Sequence, residues 1–489
     1  MFSNAESIAQ GLKGALDGLI NSVRTVEGQQ PGIYETEEQL WIGLLALGRG
    51  LMQLRFEACH EAEVIYDRVE VEGENYTYQR ESERAYVSLF GAVRVKRAYY
   101  LNKAQGGWWP LDTALSLPER SYSDSVQERL SEMNAYIPQE TCLKLLERWL
   151  GLKLPKGSLQ SSTADQALYM PEYYDQQAPL TINSADSILV VTADGKGIPM
   201  TRADSPPPQA RRGKGQKKTA KKEAIVTAWY SIAPYQRAVQ SLIDGLLPEA
   251  ADSQPSVDPK RPLSSAKQTF ATLDGKTAAL SQLAQQLARH ANQPFRHRVA
   301  LCDGAPALQQ LLLDYFPDFT LVLDLIHVTE YLWDAANACF GETSPSRLPW
   351  MRQALTYLLT DRLDTLLQIL DDQAVTCAIT QQQTLDKVSA YLQRNRPYMY
   401  YHHYLALGWP VATGVVEGAC RHLVKDRFAQ AGMRWSIAGA QNLLDLRSVV
   451  FNDDWDAFQS FRRHQSHLER FGTPYPDVFP DVIALEANT

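Results

Sequence analysis

The spacing of apolar residues changes twice along the first third of the chain. Residues 1–70 carry apolar side chains at helical spacing, which predicts helices. Residues 77–100 alternate and are rich in Tyr and Val, which predicts a β-hairpin that turns at Gly91. The helical spacing returns in residues 122–170, which are compatible with a helix-turn-helix and also with plain helix packing. The three short helices predicted there lie near residues 123–135, 138–150 and 156–169.

From residue 187 the pattern becomes one of short strands separated by helices. The β-favouring run 188–193 ends on Asp194, just before two glycines. The order of predicted elements indicates a mixed α/β sheet. It is three strands, a helix, a strand, a helix and a strand, followed by a long helical stretch. The other predicted strands are residues 224–232, 237–242, 298–305 and 319–328, residues 247–268 form a predicted polar loop, and residues 329–396 form the helical stretch.

Three acidic residues stand where predicted elements begin or end. Asp194 ends the first strand of the sheet, Asp303 ends the fourth, and Glu417 lies on a predicted helix. Neighbouring strands lie about 5 Å apart, so the two aspartates can meet if their strands are neighbours, and a helix across that edge can add Glu417. Clustered carboxylates repel one another unless a cation lies between them, and hard oxygen ligands suit Mg²⁺ or Mn²⁺. Two such ions can activate the attacking oxygen in phosphodiester chemistry.

Each acid also has a plain structural interpretation. Asp194 is followed by glycine, and Asp-Gly is ordinary turn chemistry. Asp303 can cap the helix that is predicted to begin at Pro306. Glu417 can pair with Arg421 one helical turn later. Spacing alone leaves these alternatives open.

Charge is unevenly distributed. The net charge is −8 and the isoelectric point is near 5.7, which is not the global signature of a nucleic-acid-binding protein. Residues 211–222 nevertheless contain no acid, and they form either a solvated loop or a DNA-binding surface beside the strand that bears Asp194. Glu417, Arg421 and Lys425 recur every four residues on one predicted helix face, and Arg434 follows that helix. The candidate DNA-binding residues are Arg211, Arg212, Lys214, Lys217, Lys218, Lys221, Lys222, Arg421, Lys425 and Arg434.

The distribution of cysteines and the hydropathy of the chain indicate in which cellular compartment the protein is expected. The six cysteines are scattered, with no C-x-x-C pair, which argues against a disulfide scaffold and fits a reducing cytoplasm. The N-terminus lacks a basic start followed by an apolar run, so no signal peptide is predicted. The most apolar stretch, residues 40–54, is short and contains Arg49, which predicts a core helix rather than a membrane span. We expect a cytoplasmic, nucleoid-associated protein with no membrane partner.

Several motifs, taken in their order along the chain, resemble one family. They include "LFGAVRVKRAYY", "TADGKG", "LCDGAPAL", "LDLIHVTEYLW", "GVVEGACRHLVKDRF" and "LLDLRSVVFNDDWDAF". Over roughly residues 80–460 the chain resembles insertion-sequence DDE transposases of the Kra type, in the Mutator-like branch of the RNase H-like superfamily. The resemblance implies an RNase H-like mixed-sheet catalytic core with an all-helical insertion. Matched motif by motif, it also implies that Asp194, Asp303 and Glu417 are the catalytic and metal-binding residues.

The resemblance implies an activity, cofactors and partners. A protein of this family cleaves the ends of its own element and joins them to target DNA, with Mg²⁺ or Mn²⁺. The expected partners are double-stranded DNA, both terminal inverted repeats and target, and a second copy of the chain in a homodimer or higher homo-oligomer. Relatives often carry zinc-ribbon-like cysteines after "RAYY", but this chain has none there, so no zinc is expected. A structure-selective DNA nuclease and a non-catalytic DNA-binding regulator derived from a transposase are the alternatives.

A second polar pair follows the second catalytic aspartate. "LDLIHV" places Asp324 and His327 three residues apart, where Mutator-like relatives often have Cys and His. The pair either supports the acids or contacts DNA, or it is a strand-end polar pair. Asp303 is the preferred catalytic acid, because Gly304 follows it at a turn, whereas Asp324 continues into the apolar Leu325 and its strand is not predicted to end there.

The predicted domain order combines these regions. An RNase H-like α/β core, interrupted by a helical insertion, follows a mostly helical N-terminal region with a small β element. The predicted regions are a helical 1–75, a small β element 76–120, a helix-turn-helix-like DNA-binding 121–172, the first part of the core 180–330, the insertion 331–410, the Glu-bearing part of the core 411–452 and a tail 453–489.

Overall fold

The chain divides into two compact units in a computed structural model. The first unit comprises residues 1–173 and 455–489, and the second comprises residues 174–454. The structure describes residues 3–24, 32–71, 73–204, 221–248, 260–290, 293–430 and 432–475. Arg211, Arg212, Lys214, Lys217 and Lys218 of the predicted basic run therefore lie outside the described residues.

The first unit begins with two long helices and a small sheet, as the apolar pattern predicts. Helices α1 (Asn4–Arg24) and α2 (Ile33–Glu61) precede a four-stranded antiparallel sheet of order β1-β2-β3-β4. The predicted hairpin is confirmed, because Gly91 begins the second of its strands with φ +122°, a conformation that favours glycine. The strands are β1 (Arg68–Val71), β2 (Glu74–Ser88), β3 (Gly91–Asn102) and β4 (Gly106–Trp108).

Short helices complete the first unit. The three helices predicted in residues 122–170 are confirmed as α4 (Asp124–Tyr136), α5 (Gln139–Leu150) and α6 (Lys156–Ala167). The Ser123 hydroxyl caps α4 by accepting a hydrogen bond from the Val126 N–H. Their shared core contains Leu130, Cys142, Leu146 and Leu159. The remaining helices here are α3 (Pro110–Ala114), α7 (Met170–Gln176), which runs into the second unit, and α19 (Trp455–Phe471).

A five-stranded mixed sheet forms the centre of the second unit. Its order is β7-β6-β5-β8-β9. Strands β5, β6 and β7 pair antiparallel in that order. Strand β8 pairs parallel with β5, and β9 pairs parallel with β8. The strands are β5 (Ile188–Pro199), β6 (Lys221–Ile232), β7 (Ala266–Thr272), β8 (His297–Cys302) and β9 (Thr320–Leu323).

Several predicted strands are wrong in type or extent. The first does not end at Asp194, because its pairing with β6 continues to Pro199, and the predicted strand over 298–305 ends at Cys302. The predicted strand over 237–242 is instead the start of a helix, α8 (Val239–Leu246), because its apolar residues repeat at helical spacing into the core. The third strand is β7, which begins inside the segment predicted as a polar loop. The predicted strand over 319–328 ends at Leu323, and Asp324 caps the next helix by accepting a hydrogen bond from the Ile326 N–H at 3.0 Å.

Helices cover both faces of this sheet. The predicted helical stretch over 329–396 is confirmed, and it packs with α8 against one face. Helices α9 and α10 pack against the other face through Leu283 and Leu312. The helices are α9 (Lys276–Ala288), α10 (Pro306–Tyr315), α11 (Leu325–Phe340), α12 (Arg347–Leu359), α13 (Leu363–Thr376), α14 (Ile379–Asn395) and α15 (Tyr401–Ala406), with a 3₁₀ turn at Arg396–Tyr398.

The segment that bears Glu417 is not one continuous α-helix. It consists of α16 (Gly414–Ala419), a π-helical turn (Cys420–Lys425) and α17 (Asp426–Phe428), and α18 (Ile437–Phe451) follows. In the π turn the Asp426 N–H bonds to the Arg421 carbonyl, five residues back. Buried Arg447 on α18 donates to the carbonyls of His422 and Leu423 in this turn.

Candidate metal centre

Three aspartates stand in one row across the parallel part of the sheet. Thr192 of β5 pairs with Leu301 of β8, and Cys302 of β8 pairs with Leu323 of β9. Asp194 follows the first of these pairs by two residues, and Asp303 and Asp324 come directly after β8 and β9, so the three aspartates lie toward the same end of neighbouring strands. We refer to Asp194, Asp303 and Asp324 as the acidic row.

Asp194 lies on the α11 side of the sheet. Val190 precedes it on β5 by four residues and belongs to the core on that side. Side chains alternate between faces along a strand, so the Asp194 side chain points to the same side as Val190. The spacing of residues along the chain leaves the pairing of β5 with β8 open, and in the structure these strands are neighbours.

Glu417 approaches the row from a helix on the same side. Helix α16 packs across β5 and β6, with Val416 in the core beside Ile198 of β5. The Cys420 thiol, one helical turn after Glu417, donates to Asp194 Oδ2 at 3.3 Å. Burial raises the pKa of the Cys420 thiol, and the charges of Asp194 and Glu417 raise it further. The thiol is therefore a neutral donor that orients the Asp194 carboxylate.

Asp324 is fully buried and its carboxylate has four hydrogen-bond partners. Its Oδ1 accepts from the backbone N–H groups of Ile326 and Thr413. Its Oδ2 lies 2.6 Å from His327 Nδ1 and 2.6 Å from Thr413 Oγ1. Burial alone would raise the pKa of Asp324, but the hydrogen bonds from His327, Thr413 and Ile326 lower it. The carboxylate is therefore held ionised in the interior.

His327 carries the complementary positive charge. The hydrogen bond to Asp324 raises the pKa of His327 to about 9, against the effect of burial, and the charge of Asp303 contributes in the same direction. The Asp303 charge therefore acts on the same site as Asp324. Asp324 and Glu417 each offer a carboxylate oxygen within 4.8 Å of a His327 ring nitrogen, and the charge of Asp303 also reaches this residue, so the region attracts cations.

One group of side chains in the described residues has the spacing of a metal site. Single ligand atoms of Asp324, His327 and Glu417 all lie within 4.8 Å of one another and could hold a metal ion. Thr413 Oγ1 lies between the two acids, 2.6 Å from Asp324 Oδ2 and 3.0 Å from Glu417 Oε1, and its single proton can be donated to either carboxylate. Asp194 and Asp303 are not members of this group, which differs from the predicted metal set in two of its three residues.

The turn that carries Asp303 is held by the helical stretch. Asp303 Oδ1 accepts from the Ala305 N–H at 2.9 Å, and α10 has no side-chain cap, so Asp303 is not that helix's N-cap. On α14, Tyr391 donates to the Asp303 carbonyl at 3.2 Å and Arg394 donates to the Gly304 carbonyl at 3.2 Å. Gly304 has φ +85°, and a Cβ there would lie 2.7 Å from the Tyr391 hydroxyl, so glycine is required. Local sequence patterns do not predict these contacts of α14.

The described candidate DNA-binding residues are on the surface near this site. Arg421, Lys425 and Arg434 are exposed. Arg421 pairs with Asp426 at 3.6 Å. The π turn changes the residue spacing, so the expected common helix face of Glu417, Arg421 and Lys425 does not form on a regular α-helix.

The two described lysines of the basic run begin β6. Lys221 and Lys222 lie opposite Pro199 and Ile198 at the end of β5. This is the end of β5 that lies beyond Asp194. Lys221 and Lys222 therefore lie at the same end of the sheet as the acidic row.

Comparisons with known proteins do not assign the chain to a family. No protein-family model matches it, and no curated protein matches it. Within the described residues, no helix is long and apolar enough to cross a membrane. The chemistry of the site must therefore be inferred from its own residues.

Proposed function

We propose that the protein is a DDE transposase that cleaves the ends of an insertion sequence and joins them to target DNA with the help of divalent metal ions. The observation that supports the proposal is that Asp194 lies on β5 beside β8, which Asp303 follows, and that the Glu417 segment reaches both Asp194, through Cys420, and Asp324, through Thr413. Three antiparallel strands followed by two parallel strands, in the order β7-β6-β5-β8-β9, are the arrangement expected of an RNase H-like core.

The carboxylates fit hard divalent cations such as Mg²⁺ or Mn²⁺. Their oxygens are the ligands that these ions prefer, and their mutual repulsion is relieved by a bound cation. Asp194 and Asp303 would bridge the ions and Glu417 would hold the second one. Bound ions would activate the attacking oxygen and stabilise the leaving oxygen of the phosphodiester.

The other residues of the site would orient these ligands. Cys420 fixes one oxygen of Asp194, and Thr413 fixes Glu417 relative to Asp324. Hydrogen-bonded partners of metal ligands typically change metal affinity or activity 10- to 100-fold when they are removed. Asp324 and His327 would therefore orient the metal-binding carboxylates by contacts beside them.

Cationic side chains near the site would bind the DNA backbone. Arg421, Lys425 and Arg434 are exposed, and Lys221 and Lys222 lie beyond the Asp194 end of β5. Neutralising phosphates releases counterions, which provides affinity without sequence preference.

The test is cleavage of a labelled DNA fragment that carries the native flanks of the gene, in Mg²⁺ and in Mn²⁺. We expect the wild type to cut at the element end and to join the end to a second DNA. Asp194→Asn should abolish both steps while retaining the fold. Asp371→Asn, an exposed position on α13, is the matched control and should remain active. Cutting without joining would indicate the nuclease alternative, and no metal-dependent cutting would contradict the proposal.

A further inference from the structure

Two cysteines of the helical stretch lie close together although they are far apart in the chain. Cys339 stands in the last turn of α11, and Cys377 directly follows α13. Both are free thiols. The chain between them forms α12 and α13, so their approach depends on the fold and not on local spacing.

Gln373 defines the geometry of this pair. The Cys339 thiol donates to Gln373 Oε1 at 3.3 Å. Cys377 follows Gln373 by four positions, and the Cys377 N–H bonds to the Ala374 carbonyl, so Cys377 continues the last turn of α13. Side chains four positions apart lie on the same helix face, and helical side chains lean toward the N-terminus. The Cys377 thiol is therefore directed toward the group that Cys339 contacts.

The two thiols also interact with each other. The pKa of Cys339 is raised to about 11, first by burial and then by the charge of Cys377 and a hydrogen bond with its side chain. Such a hydrogen bond requires that the sulfurs are near neighbours. Both residues stand at helix ends, where the backbone can adjust to the Cα separation that a disulfide needs, about 4.4–6.8 Å.

The pair can be reached by a small molecule from the solvent. Cys339 and Cys377 are half-buried and pack at the margin of the core on the α11 side. Val375 and Ile379, on either side of Cys377, are 85% and 74% exposed. In contrast, Cys302 is fully buried.

We propose that Cys339 and Cys377 form a dithiol site that hydrogen peroxide oxidises to a disulfide. The Cys377 thiolate attacks one peroxide oxygen, the O–O bond breaks, hydroxide leaves and Cys377 becomes a sulfenic acid. The Cys339 thiolate then attacks the Cys377 sulfur, the S–O bond breaks and a second hydroxide leaves. The two hydroxides take up the two thiol protons, so two thiols and one peroxide give one disulfide and two waters. This inference does not rest on the proposed function.

The environment of Cys339 sets the order of the two attacks. The thiolate is the reactive form, and Cys339 is protonated at neutral pH, so the first attack is assigned to Cys377. Once Cys377 is a neutral sulfenic acid, its charge no longer opposes ionisation of Cys339. The second attack therefore becomes easier after the first has occurred.

The disulfide would tie together helices that reach the metal-binding region. Helix α11 carries His327, and α14 begins two residues after Cys377 and carries Tyr391, which bonds to the Asp303 carbonyl. The bond would close a loop of about 40 residues and so restrict the unfolded chain. In a reducing compartment such a bond is transient and senses oxidants.

Peptide mapping of the full chain tests the site. The protein is treated with hydrogen peroxide, the remaining thiols are blocked with N-ethylmaleimide, and the digest is analysed without reduction. We expect linked peptides that fragmentation assigns to Cys339 and Cys377 and that dithiothreitol separates. In concentrated urea the link should form about tenfold more slowly, because unfolding removes the proximity of the thiols. Equal rates in both conditions, or a folded protein in which Cys377 is oxidised without any link to Cys339, would overturn the proposal.

Single substitutions test the role of each thiol. Cys339→Ser should accumulate a sulfenic acid on Cys377 that dimedone traps, whereas Cys377→Ser should leave Cys339 as a thiol. Cys59→Ser, at another half-buried cysteine that lies in the first unit, is the matched control and should form the link at the wild-type rate. Circular dichroism checks that each variant is folded. Dimedone labelling of Cys339 in Cys377→Ser would contradict the assigned order, and a disulfide between Cys377 and another cysteine in Cys339→Ser would refute the specific pairing.

Discussion

Thr413 joins Asp324 to Glu417 through one hydroxyl group. Its Oγ1 lies 2.6 Å from Asp324 Oδ2 and 3.0 Å from Glu417 Oε1, and its backbone N–H also bonds to Asp324. A buried acid that follows β9 is thereby linked to an acid on a helix almost a hundred residues further along the chain. The relative position of these two carboxylates depends on this residue.

Removing the hydroxyl should therefore disturb the site without removing a charge. We expect Thr413→Val to lower metal-dependent cleavage about 10- to 100-fold, because the Glu417 carboxylate loses its link to Asp324. Thr413→Ser retains the hydroxyl and should keep most of the activity. The measurement is the cleavage rate as a function of Mn²⁺ concentration, with a thermal melt for each variant. Equal rates for the valine and serine variants would show that the link has no role.

Asp303 and Asp324 should differ in their response to substitution. Asp303→Asn should abolish strand cleavage while fold and DNA binding persist, because a neutral amide cannot replace a metal-bridging carboxylate. Asp324→Asn should leave measurable cleavage but lower the free energy of unfolding by about 1–3 kcal/mol, because its four buried hydrogen-bond partners are arranged for a carboxylate. Cleavage assays and urea unfolding measure the two effects. A folded, active Asp303→Asn protein beside an inactive Asp324→Asn protein would reverse the assignment.

The lysines at the start of β6 should contribute to DNA affinity at all sequences. Replacing Lys221 and Lys222 by Gln should weaken binding and reduce the slope of log affinity against log salt by about 0.9 for each phosphate that is no longer neutralised. Adding Lys217→Gln and Lys218→Gln should enlarge the effect if residues 211–222 act as one surface. Fluorescence anisotropy in a salt series measures it. Lys103→Gln and Lys153→Gln, exposed lysines of the first unit, provide the charge-matched control, and the same slope in both double variants would mean that residues 221 and 222 do not contact DNA.

Stability should fall as the pH rises through the acidic range because of Asp445. Burial raises the pKa of Asp445 to about 7, and the charge of Asp274 adds to this, while the hydrogen bond from Gln441 acts against it. The folded state therefore binds this proton more tightly than the unfolded state, whose carboxyl titrates near 4. The free energy of unfolding should thus decrease between about pH 4 and pH 7, by about 1–2 kcal/mol after allowance for the remaining solvent contact of the side chain.

Asp445→Asn should remove this pH dependence. The amide oxygen can still accept the Gln441 hydrogen bond, and it carries no charge to desolvate. Urea unfolding between about pH 5 and pH 8 measures the difference, with Asp371→Asn as an exposed control. Parallel stability curves for wild type and Asp445→Asn would contradict the assignment of the buried proton to this residue.

Local sequence patterns predict the helices and strands whose apolar spacing continues over several turns or residues, or whose ends are marked by capping or helix-breaking residues. The helices α4–α6 have caps and breakers, and β5, β6 and β8 are long β-favouring runs, so the sequence specifies them. Residues 237–242 are too few to separate a strand period from a helix period. In residues 319–328 an apolar run hides the change from strand to helix, although Asp324 is a recognisable N-cap residue type.

The arrangement of the acidic side chains in the site could not be predicted from local sequence patterns, because it depends on contacts between residues that are distant in the chain. The hydrogen bonds of Thr413, Cys420 and Tyr391 join segments far apart in the chain, and no local spacing encodes them. Asp303 directly follows β8 and Glu417 lies on α16, as expected, and β5 and β8 are neighbours. Asp194 does not end its strand, because β5 continues past it to Pro199. The buried position of Asp324 depends on where β9 ends, which the apolar run conceals.

The π turn after Glu417 divides one helical segment into two phases. Val416 and Ala419 before the turn and Leu423 and Phe428 in and after it are buried in one core, and Arg447 donates to the carbonyls of the turn. The π turn holds one more residue than a regular α-helical turn, so the residues after it are rotated by about 100° from the positions they would have on a regular α-helix. Deleting one residue from Cys420–Lys425 would therefore restore regular geometry and yet misdirect either the acid or the core residues. The extra residue in this turn is what allows a single segment to serve chemistry at one end and packing at the other.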